Sequence, residues 1–353
     1  LKRIFGLDLL RAVSIWLVLL QHTGITLFGL TGQVQIGSIG VDIFFVLSGF
    51  LIGSILLRDL STENSLRSIR KFLIRRWFRI LPVYYLCLFF KFCFIDHSIG
   101  ANILYYVFFL QNNFYGIKFY GVTWSLVIEE WFYLFTPFFF FMAIRLLKSH
   151  GKILLVLILF IASESLLRYA YVSLRSVPYS GVNSSFPFRF DSLFLGVLLA
   201  YLKLHYAYLY NKLAQWRFFL LGCISFTGYL FYLSSISIPE IRIDQLLFPR
   251  TLGFLWLDLS IALLIPYINR LKTVPGHGFV SRITGGFITQ TSILTYSIYL
   301  THMLVTPYTF SGSLPFSGWA GHFLLTIAAT YLISYLLYHF YEKPMLDLRE
   351  RFR

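Results

Sequence analysis

The sequence predicts an all-α, polytopic integral membrane helix bundle of about ten transmembrane spans with both termini cytoplasmic, and three observations predict it. First, 58% of the 353 residues are hydrophobic and only 13% are charged, against roughly 25% charged residues in an average soluble domain. Second, the apolar residues fall into runs of about 17 to 25, the length an α-helix needs to cross a hydrocarbon core of roughly 30 Å. Third, Lys and Arg concentrate in alternate loops, as the positive-inside rule produces.

The runs place spans at 5–30, 41–57, 79–96, 123–143, 153–171, 188–203, 217–234, 248–267, 287–307 and 321–341. Lys2 and Arg3 before the first run resemble a signal-peptide start. Asp8 and Arg11 interrupt that run, however, and no small-residue cleavage site follows, so it reads as a retained helix. The segments assigned to the cytoplasm are the N-terminus, 58–78, 144–152, 204–216, 268–286 and the C-terminal tail. The basic extreme is the loop around 58–79, with Arg58, Arg67, Arg70, Lys71, Arg75, Arg76 and Arg79 against Asp59 and Glu63; 31–40 and 308–320 carry no charge. The run 102–112 is too short to cross, and counting it would put the basic 144–152 loop outside, so it reads as interfacial or re-entrant.

No internal repeat, low-complexity tract or soluble domain interrupts the pattern, so a single membrane domain is expected to fill 1–353. The net charge of +15 would mark a nucleic-acid binder if it formed a soluble patch or arm; placed in alternate loops it implies no nucleic acid. Cys87, Cys93 and Cys223 lie in apolar surroundings without metal-ligand or disulfide spacing, so no metal is expected.

Ionisable groups inside a bilayer are costly, and each is a candidate for function. Arg11 and His22 are eleven residues apart, almost three helical turns, so both lie on one face about 16 Å apart. Asp8 shares that face and can pair with Arg11 at i,i+3. Asp42 opens the second span, whose Gly49 and Gly53 read as a close-packing pair. In the fourth span Ser125 and Glu129 share a face at i,i+4 while Glu130 points elsewhere. A carboxylate can fix the tautomer of a catalytic imidazole, so His22, Asp42 and Glu129 are expected at one depth. Arg189, Asp191 and His302 fall at a similar level, the first two with interfacial snorkelling or pairing as their ordinary reading. At the other end Arg75, Arg76 and Arg79 precede Pro82. Arginine forks suit phosphate, although anchoring to anionic membrane lipid explains them equally well.

Together these motifs resemble the acyltransferase 3 family, membrane enzymes that modify cell-envelope or secreted carbohydrates. The resemblance runs through the whole chain: a basic residue, ten residues and a His at Arg11 and His22; Val-Asp-x-Phe-Phe-x-x-Ser-Gly-Phe from Val41 to Phe50; and an Arg-rich segment ending Pro-x-Tyr-Tyr from Arg75 to Tyr85. It continues with Trp-Ser-Leu-x-x-Glu-x-x-Phe-Tyr from Trp124 to Tyr133, Tyr-Ser-Ile-Tyr-Leu-x-His from Tyr296 to His302, and Glu342-Lys343-Pro344.

The resemblance implies acyl transfer from a cytoplasmic acyl-CoA, most often acetyl-CoA, to a sugar hydroxyl at the outer face of a bacterial inner membrane. The acceptor would be O-antigen, exopolysaccharide, peptidoglycan or a lipid-linked glycan. On that reading Arg75, Arg76 and Arg79 hold the CoA phosphates with the thioester near Arg11. His22, oriented by Glu129 or Asp42, is the base. Trp124, Ser125, Tyr133, Arg189, Asp191 and His302 are candidate acceptor contacts. Ser125 or a Tyr could instead relay the acyl group covalently. Some family members carry an appended esterase-like domain; here none is expected, so the chain should act alone or hand acyl groups to a partner. The rival reading is a transporter or flippase, since buried ionisable residues also line transport pathways.

Overall fold

Each of the ten apolar runs carries a helix of at least 16 residues in the computed structural model, which describes residues 3–23, 36–175, 177–186, 188–236, 243–276, 278–309 and 319–349. These are α1 (Phe5–His22), α2 (Ile36–Thr62), α3 (Leu66–Phe94), α4 (Trp124–Leu147), α5 (His150–Leu174), α6 (Phe190–His205), α7 (Trp216–Ile236), α8 (Leu252–Ile268), α9 (Phe279–Thr309) and α10 (Trp319–Leu337). Among the described residues there is no strand. Among those same residues, seven regions are by themselves long and apolar enough to cross a membrane. Of the other three helices, α6 and α8 are short, at 16 and 17 residues, and α9 is diluted by Thr, Ser and Gly. The end of the first expected span, 24–30, and parts of the two uncharged loops, 31–35 and 310–318, lie outside the described residues.

The centre of the bundle is α2, packed on α6 and α1. The approach to α6 is possible only because both helices present glycine: a methyl on Gly49 would sit 1.9 Å from the Leu193 carbonyl oxygen, and one on Gly196 2.0 Å from that of Val46. Gly53 continues the contact one turn on, against Val197 and Ala200, so the small-residue pair does pack helices. Helix α9 lies between α1 and α10, α5 rests on α6, and α7 rests on α8.

The structure corrects the expected basic loop at 58–78, which is helical except for the turn at 63–65. Its Leu, Arg and Lys residues are good helix formers, and Ser65 caps α3, its extended backbone letting Oγ accept the Ser68 N–H at 3.2 Å. An Arg75–Asp59 ion pair of 3.2 Å joins the two helices across the turn. The basic side chains therefore ride on helical turns rather than on a loose segment.

The run at 102–112 forms only Ile103–Val107 and Gln111–Phe114, five and four residues and far too short to cross. Phe109 in the left-handed region, φ 55°, breaks the helix there. The carbonyls this frees are taken up by protein: Tyr84 donates to Tyr106 O at 2.8 Å, Tyr85 to Val107 O at 3.0 Å and Trp131 to Phe109 O at 3.0 Å. Non-helical backbone at a membrane survives where partners of this kind are supplied.

Candidate active site

Helix α1 starts beside the end of α8, its Gly6 N–H donating to the Leu271 carbonyl at 2.9 Å, and Asp8 accepts two hydrogen bonds from Arg3, at 3.0 and 2.8 Å, and one from the hydroxyl of Ser292, midway along α9, at 2.7 Å. Arg11 lies 3.6 Å from the same carboxylate, the i,i+3 pair expected from spacing. Asp8 is thus shared between two guanidiniums, and Arg11 also lines a cavity of about 410 Å³ together with Arg3, Arg76, Arg79 and Lys203. Five cations and two carboxylates, Asp8 and Glu129, line this chamber, which suits a polyanion bearing phosphates. Arg75 is turned away to Asp59 and does not line it. Lys203, on the last turn of α6, does; sequence reasoning missed it because it looks like an ordinary helix-end lysine.

Helix α4 runs into the chamber with Ser125, Glu129 and Tyr133 at i, i+4 and i+8, and all three line it. Glu130 is buried on another face. The Tyr133 and Ser48 hydroxyls are 2.9 Å apart, and both residues line the chamber with Glu129. At the top of the chamber the Tyr299 hydroxyl is 2.6 Å from both the Val122 carbonyl and Ser125 Oγ. A carbonyl only accepts, so the one Tyr299 proton goes to Val122, and Ser125 must donate to the phenol oxygen.

A second pocket of about 170 Å³ lies beyond, lined by His22, Gln21, Trp124, Val122 and Met303 among others. Val41 and Tyr299 line both cavities and so form the wall between them. His22 Nδ1 is 2.9 Å from the Val18 carbonyl oxygen. Because that oxygen can only accept, Nδ1 carries the proton and Nε2 presents a lone pair, the tautomer of a general base. His302, fully buried, repeats the arrangement with Nδ1 3.1 Å from Ile298 O and Nε2 without a partner among the described residues. The two imidazole centroids are 4.9 Å apart.

This geometry corrects the expectation that His22, Asp42 and Glu129 meet at one depth. Glu129 is five residues inside α4 from Trp124, about 7 Å down the axis, and lines the other cavity. The imidazole is oriented by a backbone carbonyl of its own helix instead.

Asp42 lines neither cavity and pairs with Arg189. Arg189 also donates to Asn183 at 2.6 Å and Ser192 at 3.0 Å and stands 3.8 Å from Asp258. Ser192 in turn donates to Asp258 at 2.5 Å. Beside them Arg168 pairs with Asp191 at 2.7 Å, and Glu164 accepts the Phe190 N–H at 2.9 Å. Both guanidiniums have 0% exposure, so Arg189 and Asp191 do not snorkel to an interface. Together these groups weld α2, α5, α6 and α8. A buried pair is weak evidence of net stability, but removing one partner leaves an uncompensated charge. Glu164, Arg168 and Asp258 were absent from the sequence-based candidates, although each is an ionisable residue inside an apolar run and could have been found on that ground.

A family model described as an acyltransferase domain matches residues 4–339. Among curated proteins, the chain is 27% identical to YrhL of Bacillus subtilis (strain 168), which carries the provisional name peptidoglycan O-acetyltransferase, over 96% of this chain and 54% of the relative. It is 26% identical to the peptidoglycan O-acetyltransferase OatA of Listeria monocytogenes over 98% of this chain and 56% of the relative. An O-acetyltransferase, again provisionally so named, of Staphylococcus aureus (strain COL) is 31% identical over 57% of this chain and 35% of the relative. The chain thus spans about half the length, or less, of the relatives it matches. No solved structure matches.

Proposed function

The chain belongs to the acyltransferase 3 family and is an integral membrane protein, and from that premise we propose that it is an O-acetyltransferase moving an acetyl group from cytoplasmic acetyl-CoA to a carbohydrate hydroxyl on the far side of a bacterial plasma membrane. The observation that carries this reading is His22, held by Val18 as the base tautomer, in a pocket that shares the wall of Val41 and Tyr299 with a chamber lined by five cations. The names of two relatives make peptidoglycan the first acceptor to try.

Arg76, Arg79, Lys203 and Arg11 hold the donor's phosphates and the CoA arm reaches toward Ser125. The acceptor enters the second pocket, where Trp124 offers an aromatic face to the sugar. His22 Nε2 takes the hydroxyl proton as the oxygen attacks the thioester carbonyl, then returns it to the departing thiolate. Direct transfer is favoured over a serine relay because Ser125 donates its proton to a phenol oxygen rather than to a base. Glu129 and Tyr133 sit on the donor side, beside Arg76 and Arg79. Arg189, Asp191 and Asp42 have a structural role, and His302 backs His22 without lining the pocket.

The test is release of free CoA thiol from acetyl-CoA by the purified protein with and without soluble peptidoglycan fragments. The proposal expects glycan-stimulated release matched by ester on the glycan. Absence of release with every acyl-CoA and glycan tried would overturn it.

A further inference from the structure

We infer that Val41 and Tyr299 select the acyl group, Val41 by limiting its length and Tyr299 by fixing the opposite wall. The inference rests on the acyltransferase reading above. The two cavities abut at these two side chains, while the cations that would hold the donor line one cavity and the base lines the other. For the acceptor oxygen to attack, it must come within about 3 to 3.5 Å of the thioester carbon. The carbonyl must therefore lie in the gap between Val41 and Tyr299. There the acceptor O–H proton passes to His22 Nε2, the O–C bond forms as the C–S bond breaks, and the thiolate leaves with that proton.

The two walls are not equivalent. Tyr299 is clamped through its hydroxyl, at 2.6 Å from Val122 O and 2.6 Å from Ser125 Oγ, and the residue is 7% exposed. Val41 is held by packing alone, on α2 one residue from the buried Asp42–Arg189 pair that fixes the helix. With the carbonyl in this gap and Tyr299 clamped, the acyl chain is assigned to the side of the buried, branched Val41, where each further methylene would press on that side chain. One surplus methylene in a filled apolar pocket lowers discrimination-relevant rates about 10- to 200-fold, so a strong preference for acetyl over propionyl is expected.

The experiment measures kcat/KM for acetyl-CoA, propionyl-CoA and butyryl-CoA with wild type, Val41→Ala, Val41→Ile and Tyr299→Phe, each checked for a single size-exclusion peak in detergent. Val41→Ala should raise the propionyl-to-acetyl ratio about tenfold or more, and Val41→Ile should lower acetyl transfer itself. Tyr299→Phe, which loses both clamping bonds, should lower kcat while leaving the donor KM within about twofold. If the alanine protein does not fold, the isoleucine protein decides. A wild-type protein that transfers acetyl while the Val41 variants keep the wild-type ratio and rate overturns this inference alone. Failure of wild type with every donor overturns the acyltransferase reading and this inference with it.

Discussion

Replacing Arg76 with alanine should weaken the donor, whereas replacing its neighbour Arg75 should not, and the contrast tests the cation-lined chamber residue by residue. Arg76 lines the chamber with Arg79 and Lys203, while Arg75 is spent on Asp59 at 3.2 Å and lies outside it. A charge-assisted hydrogen bond to phosphate contributes about 1.5–3 kcal/mol, which corresponds to a KM for acetyl-CoA raised roughly 10- to 150-fold in Arg76→Ala at nearly constant kcat. For Arg75→Ala the lost contact is a partly exposed ion pair outside the chamber, of about 0–1 kcal/mol, and the KM should move less than about fivefold. The assay is initial-rate acetyl transfer in proteoliposomes at two salt concentrations, because screening should erode the Arg76 contribution. Equal increases in KM for the two variants, or none for Arg76→Ala, would refute the placement of the donor in this chamber.

Ser125→Ala should reduce transfer by no more than about tenfold, since the hydroxyl is a donor to Tyr299 rather than an activated nucleophile; an acyl-enzyme trapped on wild-type Ser125 by mass spectrometry would contradict this. Arg189→Met should destabilise the fold by about 3–5 kcal/mol, because Asp42 and Asp258 are left buried without their partner. A thermal melt in detergent reads this directly, and an unchanged midpoint would show that the network is not a structural weld. Gly196→Ala should cost about 1–3 kcal/mol of stability, as the added methyl meets the Val46 carbonyl oxygen at 2.0 Å; the same melt checks it.

The ten helices were legible because bilayer thickness imposes a length that apolar runs display, and the helical phase of α4 was legible because Ser125 and Glu129 at i,i+4 need only the 3.6-residue period. Depth was less legible. Assigning His22 and Glu129 to one level required an accuracy better than one turn, about 5.4 Å, and roughly that distance separates the two cavities along α4. Partners across helices were not legible at all: nothing in α2 announces that Asp42 faces Arg189 of α6. The basic segment at 58–78 was read as a loop because helices were placed from apolar run length alone, although Arg and Lys favour helix wherever their heads reach water. The backbone carbonyl that orients His22 sits at i−4 on its own helix, and that signal was available in the spacing.

Sidedness and the base together are tested by one measurement: radiolabelled acetyl-CoA on the Arg76 side of oriented proteoliposomes, peptidoglycan fragments on the other, wild type against His22→Ala. The account predicts base-labile label on the far-side glycan with wild type and a loss of at least about 100-fold with His22→Ala. Equal label from both proteins, or no far-side label with wild type, would contradict it.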